Sequence, residues 1–121
     1  MEQSTLKPYW DESRQAVFVP VVNKFLDAKN LSDRATWDDA MKMAKAAGKE
    51  LPTKKDCYAI MLFKEEIDAI LEEHGGDPLG AGRWTSQECS RAGAWYIGFS
   101  NGYVNFSGKY GTYVVRPVVA L

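Results

Sequence analysis

Few side chains in this sequence are of a kind that could carry catalysis. Cys57 and Cys89 are its two cysteines and His74 is its one histidine. Cys57 falls among apolar residues at helical spacing, where a thiol serves as a small hydrophobe. Cys89 has no His or acid close by that would make it a thiolate nucleophile. Neither stands in a CxxC or His-spaced cluster of the kind that holds zinc. No oxygen-rich cluster suggests calcium. His74 ends a helical stretch, where it caps or meets solvent. Glu65-Glu66 and Glu72-Glu73 read as the wet side of that helix. No catalytic residue, metal or cofactor is therefore expected. The two cysteines could form one disulfide, but two free thiols are expected, because nothing signals an oxidising compartment.

Recognition chemistry is better represented. Between Cys89 and Tyr113, Tyr, Ser, Gly and Asn account for 14 of 25 residues, and none is acidic. Tyrosine offers a large contact area with little rotamer entropy to lose, and Ser, Gly and Asn adapt their hydrogen bonding. Short strands with tight turns favour the same residues for purely structural reasons. Strand alternation sorts the segment further. Trp95, Ile97 and Phe99 share one face, read as inward. Tyr96 and Gly98 point outward. Tyr103 and Asn105 share a face opposite Val104 and Phe106. Residues 106–113 read as an exposed loop. Lys109 and Arg116 read either as pins, with the Arg116 guanidinium donating to loop carbonyls, or as contacts to a ligand.

The elements that must position these residues follow from periodicity. Residues 1–14 read as a polar arm. Residues 15–22 (QAVFVPVV) read as a strand that Pro20 places at an edge or bulge. The KFLDA stretch after Asn23 could be a short helical turn. Thr36 and Asp39 form a T-x-x-D box that opens a first helix, with Trp37, Ala40, Met41, Ala44 and Ala47 on one face and Gly48 as its stop. Thr53 and Asp56 repeat the box for a second helix, which runs to Gly75-Gly76 with a broad apolar face. Both helices look committed to packing. From Trp84 the period changes to short strands: AWYIGF and GYVNF flank a hairpin signal at Ser100-Asn101-Gly102, and YVVRPVVAL reads as a last strand. The order implies a single α+β domain over 1–121, two helices packed on short antiparallel strands.

Size and charge exclude several classes. With 121 residues, one domain with a real core is the default. A net charge of -1 gives no case for nucleic acid. All acidic residues lie at or before Glu88, so the chain sums to -4 up to there and to +3 after it. No stretch approaches the length of a membrane span. The start lacks the basic and apolar regions of a signal peptide, so synthesis in the cytoplasm is expected.

The motif order resembles a known family. T-W-D-D-A from Thr36, G-K-E-L-P-T-K-K-D from Gly48, W-T-S from Trp84, A-W-Y from Ala94, G-Y-V-N from Gly102, Lys109 and V-R-P-V from Val115 follow one another. This resembles the bacterial and phage branch of C-type-lectin-like domains, which includes the formylglycine-generating-enzyme-like group. Residues 84–121 look like the variable region of target proteins of diversity-generating retroelements. The resemblance implies a C-type-lectin-like fold with a fixed framework, here Trp84, Ser86, Ala94, Trp95, Phe99, Gly102, Val104, Lys109, Arg116 and Pro117. Thr85 stands where a serine is usual. The positions between would then be diversified for binding. They are Gln87, Glu88, Ser90 and Arg91; Tyr96, Gly98 and Ser100; Tyr103, Asn105, Phe106 and Ser107; and Tyr110, Thr112 and Tyr113.

The implied function is recognition of a protein or cell-surface ligand without catalysis, with incorporation in a phage particle or display at a cell surface. Two other classes stay open: a thiol- or copper-dependent enzyme of the same group, and an assembly domain. The enzymes of that group use a reactive cysteine pair near the C-terminus, which this chain does not reproduce. The calcium-binding E-P-N and W-N-D motifs of animal lectins are also missing, with only Asp77-Pro78 and W-T-S in their place.

Overall fold

The β-branched run after Gln15 forms strand β2 (Ala16–Val19), buried along its whole length in a computed structural model that describes residues 7–80 and 82–120. Pro20 ends the strand rather than marking a sheet edge: β2 is central, between β1 (Tyr9–Asp11) and β3 (Lys24–Asp27). The expected arm therefore joins the sheet at Tyr9, while residues 1–6 lie outside the described residues. The KFLDA stretch is strand β3, not a helical turn. Its alternation explains this: Leu26 pairs with Val17 on one face, and Phe25 with Phe18 on the other. Strand β9 (Val118–Ala120) completes this sheet beside β3, in the order β1-β2-β3-β9.

The first helix, α1 (Trp37–Ala46), is capped by Thr36, whose Oγ1 accepts from the Asp39 N–H at 3.4 Å. Trp37, Ala40 and Ala44 are buried at helical spacing. The second T-x-x-D box is reciprocal: Thr53 Oγ1 accepts from Asp56 N–H at 3.0 Å, and Asp56 Oδ2 accepts from Thr53 N–H at 2.9 Å. The single long helix expected after it is two. Helix α2 (Lys54–Leu62) stops at Phe63, where φ is -113° and ψ 27°, and α3 (Lys64–Glu73) starts there. The break lets the two apolar stripes serve different partners. Helix α2 packs on the second sheet, while α3 lies against β1 and β2. One straight helix could not meet both.

The second sheet has the order β4-β8-β5-β6-β7. Its strands are β4 (Ser32–Ala35), β5 (Arg83–Glu88), β6 (Gly93–Gly98), β7 (Tyr103–Gly108) and β8 (Tyr113–Val115). All of its pairings are antiparallel except β5 with β8, which meet in parallel at Arg83 and Val114. The expected final strand is split: β8 and β9 belong to different sheets, and Arg116-Pro117 carries the chain between them. Arg116 holds that crossing. Its Nε donates to Asp27 O, Nη1 to Asn30 Oδ1 at 2.9 Å and Nη2 to Asp77 O at 2.7 Å. Arg83 also braces this loop, donating to Pro78 O at 2.8 Å. Burial pulls both guanidinium groups down to about 10, which still leaves them protonated at neutral pH.

The result is an α+β architecture with its main core between the sheets and helices. Val17, Leu26, Cys57, Ile60, Ile67, Ile97 and Phe99 fill that core. A second cluster seats α1 on the second sheet through Trp37, Ala40, Leu51, Trp84 and Val115.

Candidate functional site

The second sheet has two unlike faces, set by the register of β6 and β7. Tyr96 sits opposite Asn105 and Gly98 opposite Tyr103, so these four share a face. Trp95 opposite Phe106 and Ile97 opposite Val104 form the other. Trp84 pairs with Tyr96 from β5 and is fully buried, its indole N–H donating to Ala35 O at 2.7 Å. On this base the tyrosines are laid from inside to outside. Tyr113 meets Trp84 edge-on at 4.9 Å between ring centroids. Tyr96 stacks on Tyr113 at 4.4 Å. Tyr103 lies tilted beside Tyr96 at 6.4 Å and is 51% exposed.

Gly82 makes the stack possible, because a Cβ there would lie 2.8 Å from Tyr113 Cδ1 and 3.5 Å from Tyr96 Cδ1. The amide of Asn105 donates to the Tyr103 hydroxyl and accepts from Phe106 N–H at 2.8 Å. Burial first, then the neighbouring Tyr113 and Tyr103 phenols, raise the Tyr96 hydroxyl above its ordinary value. The face thus presents phenols and an amide, groups suited to hydrogen bonding and stacking.

The expected site residues separate into groups. Tyr96, Gly98, Tyr103, Asn105 and Tyr113 come together on the tyrosine face. Ser107 shares it by register, at the rung where Ala94 packs into the α1 cluster. Tyr110 and Thr112 belong to the 109–112 turn, with Tyr110 the more exposed and its ring folded over Gly108. The loop expected over 106–113 is shorter than that, because β7 runs to Gly108 and β8 starts at Tyr113.

The rest stand elsewhere. Phe106 is on the opposite face, edge-on to Trp95 at 5.4 Å. Gln87 Oε1 accepts from Lys54 N–H at 2.9 Å and so caps the start of α2. Glu88 pairs with Lys109, whose ammonium sits over the Trp37 ring. Ser90 Oγ accepts from Ala92 N–H at 3.3 Å, within the turn that carries the exposed Arg91. Ser100 lies in the hairpin turn and lines a cleft of about 440 Å³ with Lys64, Asp68 and Leu79.

The helices are less committed to packing than their sequence suggests. Helix α2 exposes Tyr58 (56%) and Leu62 (69%) four residues apart, in line with Lys54. The Lys54 ammonium lies 3.9 Å from the centroid of Trp95, which is half-buried rather than a core residue. The i, i+4, i+8 spacing of Lys54, Tyr58 and Leu62 was legible, but nothing local distinguished an outer stripe from an inner one.

Cys57 is buried and Cys89 exposed, and both are free. Burial pushes the Cys57 thiol far up, with a smaller contribution from the Asp56 charge. Among the described residues no group of three or more His, Cys, Asp or Glu could hold a metal. No helix among them is long and apolar enough to cross a membrane. His74 closes α3 and its ring stacks on Trp10 at 4.1 Å. Comparison with protein-family models and with curated proteins finds no match to the chain.

Proposed function

We propose that the chain is a recognition domain that contacts a protein or cell-surface ligand through its tyrosine face, without catalysis. The supporting observation is the row Tyr113, Tyr96 and Tyr103 with Asn105, rising from the buried Trp84 to an exposed phenol. Rigid aromatic anchors on a packed base lose little entropy on binding, and adaptable amides and hydroxyls around them supply fit. The scaffold is read as C-type-lectin-like, and residues 84–121 as a diversified region of the retroelement-target kind, on the motif order from Thr36 to Val118. Carriage on a phage particle or a cell surface belongs to the same reading.

The test is an array of cell-surface proteins and glycans probed with the chain and with its Tyr103→Ala variant. Tyr103 is exposed, so its removal leaves the core intact. A ligand held by this face should lose roughly 30-fold in affinity. A ligand whose affinity is unchanged in Tyr103→Ala and Asn105→Ala would place recognition elsewhere and sink the reading.

A further inference from the structure

Strand β7 is the outer strand of the second sheet, and its open side is unprotected. Lys109 N–H donates back to Ala92 O at 2.9 Å, and the β6–β7 register is unbroken from Gly93–Gly108 to Gly98–Tyr103. By alternation the backbone groups of Ser107 and Asn105 face β6, while those of Phe106 and Val104 face outward. Phe106 N–H is closed off by its own neighbour, the Asn105 side chain. The N–H and C=O of Val104 and the C=O of Phe106 are left facing outward.

Edges are normally blunted by charge, proline or a bulge. The opposite edge of the same sheet, β4, carries the exposed Asp33 and Arg34 and a register shift between Ser32 and Ala35. β7 has none of these: YVNFSG holds no charge, no proline and no bulge. Helix α2 lies over the Trp95–Phe106 face of the hairpin, with Lys54 over Trp95 at one end and Met61 against Gly102 at the other. Phe106 of β7 is exposed (57%), and Tyr58 and Leu62 are exposed on α2 in line with Lys54. Lys54 is half-buried at the Trp95–Phe106 rung and has no ion pair among the described residues.

We infer that β7 is a docking edge for an extended polypeptide segment, which adds as a further antiparallel or parallel strand. The outward amides match the hydrogen-bonding groups of an extended backbone. The exposed Phe106 favours apolar side chains at alternate positions of that segment. The Lys54 ammonium, seated over Trp95 with no ion pair among the described residues, favours an acidic residue on the same side. Asn105 acts as a removable plug: its side chain must leave Phe106 N–H before the full ladder forms. The edge shares Asn105 with the tyrosine face, but the two readings part at other residues: Tyr103→Ala weakens a ligand of the face, and loss of the Lys54 and N-methylation effects counts against the edge alone.

The test is a random nine-residue peptide library displayed on phage and selected against the full chain, with the selected peptides then synthesised. The expected peptides alternate apolar and polar residues and include Asp or Glu. Their binding slows amide exchange at Val104, and N-methylation at alternate peptide nitrogens weakens it by about 10-fold or more, the loss of one or more backbone hydrogen bonds. Lys54→Gln weakens the same peptides by about 3- to 10-fold, and Asn105→Ala tightens them. Three results would overturn the inference: no selected peptide that protects Val104, peptides indifferent to N-methylation in both registers, or protection of Val104 by self-association of the chain alone.

Discussion

The rings of Tyr96 and Tyr113 stack with centroids 4.4 Å apart and planes 16° from parallel, although β5 lies between the strands that carry them. They meet over Gly82, the residue just before β5, whose missing side chain leaves the space both rings occupy. The stack joins the buried base of the tyrosine face to its exposed rim.

Gly82→Ala should therefore disturb the face from beneath. The added methyl would lie 2.8 Å from Tyr113 Cδ1, and Tyr113 is held in turn against Trp84. A loss of about 2 kcal/mol is expected, typical of overpacking. Urea denaturation with near-ultraviolet circular dichroism reads both effects. An unchanged midpoint with an unchanged aromatic spectrum would refute the arrangement.

Arg116→Lys should cost about 3 kcal/mol, as several charge-assisted hydrogen bonds to Asp27, Asn30 and Asp77 are lost together. Lysine keeps the charge but cannot present a planar fork to three acceptors. Thermal unfolding checks this, and a variant as stable as the parent would show that the charge alone suffices.

Asp56 serves two partners with one carboxylate oxygen, closing the cap on Thr53 and pairing with Lys24 at 2.8 Å. Asp56→Ala should cost about 3 kcal/mol, since it removes a cap and strands a partly buried ammonium. Asp56→Asn keeps an acceptor for the cap and should cost about half as much. Equal losses in chemical denaturation would mean that the cap contributes nothing.

Cys57 and Cys89 should separate cleanly by reactivity. Cys89 should label at once with a thiol reagent at pH 8, and Cys57 only after unfolding, because burial suppresses its thiolate. The same burial predicts alkaline sensitivity. Above its ordinary value of 9.0 the unfolded thiol releases a proton that the folded one keeps. Stability is thus unaffected below pH 9 and falls as pH rises beyond it, by up to about 1.4 kcal/mol per pH unit from this group. Urea midpoints from pH 8 to 10.5 should fall more steeply for the parent than for Cys57→Ala. Parallel curves would contradict the assignment.

Local chemistry determined much of this molecule. The helix starts at Thr36 and Thr53 were legible because a cap is written in four consecutive residues. The α+β order, the shared face of Tyr103 and Asn105, and the carbonyl-gripping role of Arg116 were legible from alternation and residue chemistry, whereas Tyr96, read as outward, is half-buried against the α1 cluster. Where the chain changes partner was not. The break at Phe63, the split at Arg116-Pro117 and the entry of Tyr9 into a sheet each depend on which distant surface an apolar stripe meets, and periodicity carries no such address. The polar strand β4 left no hydrophobic trace at all, because its place is set by pairing with β8. The candidate site divides the same way. The tyrosines and their spacing are in the sequence. Only the tertiary structure brings Tyr113 across β5 onto Tyr96, takes Gln87 into a helix cap, sets Lys54 over Trp95, and leaves β7 at the edge of its sheet. Those are decisions of register and strand order, which no single segment contains.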